Sequence, residues 1–243
     1  MKKIVIIPAR LKSERLSGKP LKLILNRPMI NWTFEAARGS SADEVKIATD
    51  SKKIFDNFSK GDAFITDSNH LSGTDRTFEV ANMLKLEDHD IVINLQGDEP
   101  FIDPLDLDNL FKIMQKDKVQ MATLYSKLSK KEELDNENIV KIQVEKNLTK
   151  KFFRKTVFRN NIFIHQGVYA FDFKTLKDFV SWKPSKNEKK HKLEQLRAMD
   201  NGIKINAIRS VSKIHIGVDT KEDLIEANDC LLYTSDAADD QLG

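Results

Sequence analysis

The chain has 243 residues, 40% of them hydrophobic and 32% charged, and its net charge at pH 7 is +3. This balance is that of a folded protein with a substantial core, and it excludes disorder over a whole domain. Because 40 basic residues stand against 37 acidic ones, no overall field favours binding to nucleic acid or to a membrane. Any site for an anion must therefore be local.

One cysteine and the first apolar run indicate the cellular context. Cys230 is the only cysteine, which excludes an intrachain disulfide and a cysteine cluster for zinc and suits a reducing compartment. The apolar run Ile4 to Ile7 ends at Pro8, too early for a signal peptide, so it predicts a first β-strand. No stretch has the length of a membrane span. We therefore expect a cytoplasmic protein without a membrane partner.

Short β-branched runs alternate with amphipathic segments in the first half of the chain. Strands are predicted at Ile4 to Ile7, Val45 to Ala48, Ala63 to Thr66 and Ile91 to Leu95. Helices are predicted from about Pro28 to just before Gly39, at Thr74 to Leu86 and at Leu105 to Met114. This alternation favours an α/β fold in which helices cover a mostly parallel sheet.

The pattern changes after about Val119. Further strands are predicted at Met121 to Ser126, Ile139 to Glu145, Phe152 to Val157 and Phe163 to Phe171, which suggests an inserted antiparallel β region over residues 119–172. Helices at Thr175 to Val180, Lys189 to Asn201 and Thr220 to Asn228, and a strand at Ile203 to Ile208, complete one predicted domain over residues 1–230. Residues 231–243, and above all Tyr233 to Gly243, are predicted to be a disordered or artefactual tail.

A basic loop, Pro8 to Pro20, follows the first predicted strand. Ligands of α/β sheets bind at the carboxyl ends of the strands, and three cations of this loop, Arg10, Arg15 and Lys19, can converge there on a polyphosphate. A P-loop would have glycine at position 13 and Ser or Thr after Lys19, so the motif is not a Walker loop. A plain basic surface loop is the alternative.

Two further segments have both a chemical and a structural interpretation. Ser72-Gly73-Thr74-Asp75-Arg76 opens a predicted helix, where hydroxyls and free N–H groups either bind a nucleotide or cap the helix. Asp98 and Glu99 follow the buried strand Ile91 to Leu95 and Gly97. Asp98 is there a natural ligand for Mg²⁺, unless both acidic residues only form the turn before Pro100.

Downstream polar residues leave similar alternatives. Asp219, before the last predicted helix, is either a second carboxylate for the same metal or an N-cap. Arg154 and the segments His165 to Tyr169 and Leu193 to Arg197 carry polar groups that are usually structural when taken alone. No Gly-x-Ser-x-Gly motif with a suitable histidine is present, so hydrolase chemistry has little support.

Six motifs in this order resemble the 3-deoxy-manno-octulosonate cytidylyltransferases, or CMP-Kdo synthetases, over roughly Lys3 to Asn228. They are Pro8-Ala9-Arg10, Gly18-Lys19-Pro20-Leu21, Ser72-Gly73-Thr74-Asp75-Arg76, Leu95-Gln96-Gly97-Asp98-Glu99-Pro100, Leu193-Glu194-Gln195-Leu196-Arg197 and Gly217-Val218-Asp219-Thr220. The resemblance implies a Rossmann-like nucleotidyltransferase fold, a homodimer and a cytosolic role in lipopolysaccharide synthesis. The substrates implied are CTP and 3-deoxy-manno-octulosonate (Kdo), with Mg²⁺ as cofactor.

The resemblance also implies roles for matching residues. The triphosphate ligands would be Arg10, Ser13, Arg15 and Lys19, and the cytidine segment Ser72, Gly73 and Thr74. The Mg²⁺ ligands would be Asp98 and Asp219. The sugar-binding set would be Gln96, Arg154, His165, Tyr169, Glu194 and Gln195, with Arg154 on the sugar carboxylate and Lys155 as the rival for that position.

The chemistry expected from these residues is CMP transfer. The anomeric hydroxyl of Kdo would attack the α-phosphorus of CTP in line and expel pyrophosphate, and Lys19, Arg10 and Arg15 would stabilise the leaving charge. Alternatives are a synthetase acting on a sialic acid or an amino analogue of Kdo, and a noncatalytic nucleotide-binding relative. A nucleic-acid-binding module has less support, because the charge is balanced and no recognition motif is present.

Overall fold

The computed structural model describes residues 1–12, 15–128, 131–155, 160–212 and 217–239. The strands in this part of the chain are β1 (Lys3–Ala9), β2 (Leu23–Ile24), β3 (Arg27–Pro28), β4 (Glu44–Thr49), β5 (Ala63–Ile65), β6 (Ile91–Asn94), β7 (Met121–Ser126), β8 (Lys141–Glu145), β9 (Leu148–Phe153), β10 (Ile162–Asp172) and β11 (Ile205–Arg209). The helices are α1 (Met29–Arg38), α2 (Lys52–Phe55), α3 (Gly73–Met83), α4 (Pro104–Met114), α5 (Phe173–Ser181), α6 (Lys186–His191), α7 (Leu196–Asp200) and α8 (Lys221–Asp239). Short 3₁₀ helices lie at Lys19–Leu21 and Lys131–Leu134.

Nine of the described strands form one mixed sheet in the order β5-β4-β1-β6-β10-β7-β11-β9-β8. The pairs β1–β4, β1–β6, β4–β5 and β7–β11 are parallel, whereas β10 is antiparallel to both of its neighbours in this order. Only β9 and β10 run against the other strands of this described sheet. The predicted α/β fold with a mostly parallel sheet and an antiparallel part is therefore confirmed.

The antiparallel part closes on itself at one end of the sheet. Strand β8 pairs with β9 and also with the first residues of β10, while β9 contacts β11. A tight turn at Lys146 and Asn147, both with positive φ, joins β8 to β9, as type I′ hairpin turns do. Strands β7 to β10 lie in the predicted insertion, residues 119–172, but β7 and β10 are members of the main sheet. Only the β8–β9 hairpin extends it.

Helices cover both faces of the sheet, because the residues of β1 alternate between two cores. Val5 and Ile7 pack with residues of α1 and α4, whereas Ile4 and Ile6 pack with residues of α3 and α5. A third, smaller cluster joins Leu16 of the basic loop to residues that include Val218 and Ala227. The basic loop is therefore anchored through an apolar side chain, Leu16, in this cluster.

Two helix predictions are wrong. The helix predicted at Lys189 to Asn201 is two short helices, because Lys192 adopts a left-handed conformation with φ of 52° that ends α6. The final helix continues to Asp239, so the disorder predicted from Tyr233 onward does not hold up to that residue. No proline or glycine interrupts this stretch, and extending a formed helix costs far less than nucleating one. Residues 240–243 lie outside the described part.

The strand predicted at Phe152 to Val157 is observed only as part of β9, which ends at Phe153, and residues 156–159 lie outside the described part. Within the described residues, no helix is both long and apolar enough to cross a membrane.

Candidate active site

Three segments meet at the edge of the sheet where β1 and β6 end. These strands are parallel neighbours, so the basic loop after β1 and the acidic turn after β6 emerge side by side. The backbone N–H of Val218 donates to the carbonyl of Asp98 at 3.0 Å and brings in the segment before α8. Together they surround a cavity of about 340 Å³, lined by Pro8, Ala9, Arg10, Lys12, Arg15, Lys19, Pro20, Gln96, Gly97, Asp98 and Asp219.

The centre of this cavity is one ammonium group between two carboxylates. Lys19 Nζ donates to Asp98 Oδ2 and, at 2.7 Å, to Asp219 Oδ1. Arg15 Nη2 lies 3.0 Å from the other oxygen of Asp219. Burial alone would lower the pKa of Lys19, but Asp98 and Asp219 outweigh burial, so this pKa is raised. Lys19 is therefore a fixed cation at neutral pH.

A tight turn sets the position of Lys19. Gly18 has φ of 67°, a left-handed conformation that glycine adopts without strain. Its N–H donates to the carbonyl of Leu11, and the N–H of Lys19 donates to that of Leu16, which closes the loop on itself. The 3₁₀ helix that starts at Lys19 has Pro20 in its first turn and directs the lysine back toward Asp98.

Gly97 allows Asp98 to approach the core. A Cβ at Gly97 would lie 2.8 Å from Cδ1 of Ile30 in α1, closer than carbon atoms can pack. The hydroxyl of Thr33 donates to the carbonyl of Gly97 at 3.2 Å. The turn after β6 is therefore held against α1, and a larger residue would displace the carboxylate that follows.

Glu99 is a third carboxyl group beside this pair, and the sequence identified it only as an acidic turn residue. Burial raises its pKa to about 8, and the negative charges of Asp98 and Asp219 add to this rise, against the lowering effect of Lys19. The site therefore has more carboxyl groups than its lysine can neutralise. No sequence pattern indicated that Glu99, which is only partly exposed, has a raised pKa.

The donor set fits Mg²⁺. Among the described residues, no three His, Cys, Asp or Glu side chains are arranged as a closed metal site. Mg²⁺, however, is usually held by only one or two carboxylates together with substrate phosphates. Asp98 and Asp219 already converge on one cation from distant parts of the chain, and a third carboxyl group, that of Glu99, lies close enough for its pKa to respond to their charges. These two aspartates are the residues that would hold the metal.

The capping alternative for Asp219 does not apply. Thr220 Oγ1 accepts from the N–H of Asp223, and the Asp223 carboxylate accepts from the N–H groups of Asp219 and Thr220. Because Thr220 caps α8, the side chain of Asp219 is free to face the cavity.

A second cavity of about 140 Å³ adjoins the first and shares Pro8, Ala9, Arg10 and Gln96 with it. Its other lining residues are His70, Leu71, Ser72, Gly73 and Arg76. Ser72 caps α3, since its hydroxyl accepts from the N–H of Asp75 and the Asp75 carboxylate accepts from the N–H of Ser72. Ser72 thus both caps α3 and lines the cavity.

A buried polar chain connects the second cavity to the sheet. Gln96 Nε2 donates to Asn94 Oδ1 at 3.1 Å, and Asn94 Nδ2 donates to Thr74 Oγ1 at 3.1 Å. Thr74 therefore directs its hydroxyl into this chain and does not line the second cavity. Asn94 was not singled out from the sequence, although an asparagine inside an apolar strand is a signal that could have been used.

Four residues of the predicted sugar set lie near one another. Gln96 is beside the backbone of Gly167, where a Cβ would lie 3.9 Å from Gln96 Cγ. The rings of His165 and Tyr169 are 5.3 Å apart. Burial, and then the nearby charge of Glu194, raise the pKa of Tyr169 well above its usual value. The sequence motifs from three parts of the chain thus approach a common region.

Burial also controls the charge of Glu194 and His165. It raises the pKa of Glu194, although the hydroxyls of Ser72 and Thr74 and the charge of Arg197 act in the opposite direction. Oε1 of Glu194 is buried without a hydrogen-bond partner among the described residues. Burial lowers the pKa of His165 to about 3, so its ring is neutral at pH 7.

The remaining predicted residues are placed differently. The Arg154 guanidinium donates to the carbonyls of Glu137 and Asn138, and its rival Lys155 pairs with Glu137 at 2.6 Å. Neither lines the two cavities. Gln195 is buried at the start of α7, and Ser13 lies outside the described residues. Lys12 and His70 line the cavities and were not proposed from the sequence.

The chain is similar to known cytidylyltransferases over most of its length. A family model described as "Cytidylyltransferase" matches residues 4–205. The 3-deoxy-manno-octulosonate cytidylyltransferase 2 of Actinobacillus pleuropneumoniae serotype 5b is 37% identical, with 92% of this chain and 96% of that protein covered. For the 3-deoxy-manno-octulosonate cytidylyltransferase of Pseudomonas fluorescens the identity is 40%, and the coverages are 90% and 94%.

Solved structures agree with these matches. A CMP:2-keto-3-deoxy-manno-octonic acid synthetase complexed with CTP has a TM-score of 0.87 and 34% identity, covering 96% of this chain and 100% of that one. A cytidylyltransferase from Leptospira borgpetersenii has a TM-score of 0.64 at 20% identity, with 96% and 88% covered, and supports the fold alone.

The fold is that of a nucleotidyltransferase, with helices on both faces of a mixed sheet and an antiparallel part. The chain belongs to the cytidylyltransferase family and, within it, to the 3-deoxy-manno-octulosonate cytidylyltransferases. This is the family that the six sequence motifs predicted.

Proposed function

We propose that this protein transfers CMP from CTP to the anomeric hydroxyl of Kdo, giving CMP-Kdo and pyrophosphate for lipopolysaccharide synthesis. The observation that carries the proposal is the meeting of Lys19, Asp98 and Asp219 in the cavity at the strand ends. The names of the most similar relatives and the CTP complex of a related synthetase support the choice of substrates.

The two adjoining cavities suggest how CTP is held. The larger one is rich in cations, and we assign its Arg10, Arg15 and Lys19 to the triphosphate, with Ser13 in the same loop. The smaller one, lined by Ser72 and Gly73, is assigned to the cytidine. Thr74 holds this segment in place, because its hydroxyl accepts a hydrogen bond from Asn94 of β6. Arg10 lines both cavities and would stand where the nucleoside meets its phosphates.

The transfer step forms a bond from the anomeric oxygen of the sugar to the α-phosphorus of CTP and breaks the bond from that phosphorus to the oxygen that leaves with pyrophosphate. The anomeric hydroxyl gives up its proton to solvent. Charge grows on the leaving pyrophosphate, and Lys19, Arg10 and Arg15 stabilise it electrostatically. Two of the three Lys19 N–H donors go to Asp98 and Asp219, so one is left for a phosphate oxygen. Mg²⁺, when bound at the two aspartates, would supply Lewis-acid activation and orientation.

The sugar is assigned to the region beside the phosphate cavity. Gln96 lines both cavities, and its side chain is held by a hydrogen bond to Asn94. It is therefore placed to contact both substrates. The polar groups proposed to bind the hydroxyls of Kdo are Gln96, His165, Tyr169, Glu194 and Gln195. Arg154 is proposed for the sugar carboxylate, which would require its guanidinium to leave the two backbone carbonyls that it now contacts.

The assembly and location proposed for the enzyme follow the family resemblance. We propose a homodimer in the cytoplasm that acts on small molecules alone. The absence of a cysteine pair is compatible with a reducing compartment. Residues 1–230 are proposed as one nucleotidyltransferase domain, with residues 231–243 as an addition that catalysis does not need.

The proposal is tested by pyrophosphate release with a panel of acidic sugars. CTP is combined with Kdo, an amino analogue of Kdo or a sialic acid, each with Mg²⁺ and with EDTA. We expect Mg²⁺-dependent release that is fastest with Kdo. Faster release with one of the other acids would assign a different sugar, and CTP binding without any release would indicate a noncatalytic relative.

A further inference from the structure

An irregularity in β10 lies beside the proposed sugar-binding residues. The pairing of β10 with β7 shifts its register between Gln166 and Tyr169, so Gly167 and Val168 form a bulge. Bulges redirect side chains and are frequent beside active sites. This one lies between His165 and Tyr169, whose rings are 5.3 Å apart, and it therefore sets how the two rings are presented.

Thr123 of β7 lies opposite the bulge and has three polar contacts with β10, to His165, Gln166 and Val168. The Thr123 hydroxyl oxygen lies 2.8 Å from the carbonyl oxygen of Val168 and 3.3 Å from that of Gln166. The same oxygen lies 3.0 Å from Nε2 of His165. Thr123 is fully buried, so water does not compete for these contacts.

The number of protons available shows which group donates in each contact of the Thr123 hydroxyl. A threonine hydroxyl has one proton and two lone pairs, whereas a carbonyl oxygen only accepts. The carbonyl of Val168 is the nearest partner, so the hydroxyl proton points to it and a lone pair faces His165. A contact at 3.0 Å between two acceptors would be repulsive. Nε2 must then bear a proton.

We infer that Thr123 is a positioning residue that holds His165 in the Nε2–H tautomer and leaves Nδ1 as an acceptor for the sugar. The inference rests on the proposed function, because it gives His165 a hydroxyl of the acidic sugar as its partner. The partly buried ring of His165 is neutral at pH 7, because desolvation lowers its pKa to about 3. A neutral ring carries a single proton, so fixing that proton on Nε2 fixes the role of both nitrogens.

This arrangement has a consequence for recognition. With Nδ1 as an acceptor, His165 favours a sugar group that donates, such as a hydroxyl, and repels one that only accepts, such as a carbonyl. Phe152 packs edge-on against the ring at 5.0 Å and limits rotation that would exchange the two nitrogens. Together Thr123 and Phe152 make the ring a directional acceptor.

The tautomer is measured directly by long-range ¹H–¹⁵N NMR on full-length protein labelled at its histidines. The chain has five histidines, and the His165→Gln variant identifies the signal that disappears. We expect the wild-type ring to show the Nε2–H pattern, and Thr123→Val, which keeps the shape but removes the hydroxyl, to show a mixture of tautomers. An Nδ1–H pattern in the wild type would overturn the inference.

Steady-state kinetics with CTP and Kdo provide the second measurement. Thr123→Val should raise the KM for Kdo about tenfold, the effect of losing one hydrogen bond, with the KM for CTP unchanged. Thr123→Ser keeps the hydroxyl and should restore the wild-type KM for Kdo and the Nε2–H pattern. If Thr123→Val does not fold, the wild-type tautomer still decides the inference.

The two measurements separate this inference from the proposed function. An Nε2–H pattern without turnover would support the role of Thr123 and refute the proposed reaction. Turnover of Kdo with equal KM values in Thr123→Val and wild type would support the reaction and refute the role of Thr123.

Discussion

Asp98 and Asp219 lie on either side of one ammonium group, that of Lys19, although they are far apart in the sequence. Asp98 follows the central strand β6, and Asp219 precedes the last helix. The hydrogen bond from Val218 N–H to the Asp98 carbonyl joins the two segments at 3.0 Å. The fold thus builds a paired carboxylate site that neither segment could form alone.

Replacing Lys19 by Met should destabilise the metal-free protein by about 1 kcal/mol, because the two carboxylates then repel each other and are partly open to solvent. Urea unfolding in EDTA measures this loss. The same experiment in Mg²⁺ should recover part of it, since a divalent cation replaces the missing charge. The exposed Lys52→Met variant serves as the control. Equal stability of Lys19→Met and wild type in EDTA would contradict the central role of this ion pair.

Gly97→Ala should destabilise the protein by about 1–3 kcal/mol, because the new Cβ would lie 2.8 Å from Ile30 Cδ1. Ile30→Val removes that carbon atom and should cost about 1 kcal/mol alone. The double variant should lose less unfolding free energy than the two single variants lose together, and urea unfolding of all four proteins measures this difference. If the two losses of stability simply add, the contact with Ile30 Cδ1 is not the reason why position 97 requires glycine.

His165 should make stability depend on pH in the acid range. Its folded-state pKa, about 3, lies below the ordinary value of 6.5. Between these values the unfolded chain binds the proton and the folded one does not, so stability is fully present above pH 6.5 and falls as the pH drops toward 3. The slope contributed by one proton is at most about 1.4 kcal/mol per pH unit.

The check is urea unfolding of wild type and His165→Gln between pH 4 and 7, a range that lies mostly between the two pKa values of His165. The variant should show a shallower loss of stability on acidification. An equally steep loss in both proteins would mean that His165 is protonated in the folded state.

Several features were predictable because they depend on local chemistry. Strands β1 and β6 are apolar runs that end in glycine-containing or proline-containing turns, and parallel strands bring such turns to one edge. Capping of α3 followed from Ser72 and Asp75. The six motifs then indicated the family, which the relatives confirm.

Other features depend on tertiary contacts that no pattern encodes. The raised pKa of Glu99 follows from desolvation and from the nearby charges of Asp98 and Asp219, while sequence alone presents it as one more turn residue. The break at Lys192 requires a left-handed residue that is not glycine. Arg154 was assigned from the family resemblance, but its present contacts with the carbonyls of Glu137 and Asn138 are set by the loop before β8.

The most direct measurement is a double-mutant cycle on turnover with CTP, Kdo and Mg²⁺, using Asp98→Asn, Asp219→Asn and the double variant, with Asp56→Asn as an exposed control. Each single change should lower kcat at least about a hundredfold. The double variant should be no slower than the slower single variant, because both residues serve one cation. Losses that multiply in the double variant, or near-normal turnover in either single one, would contradict a shared site.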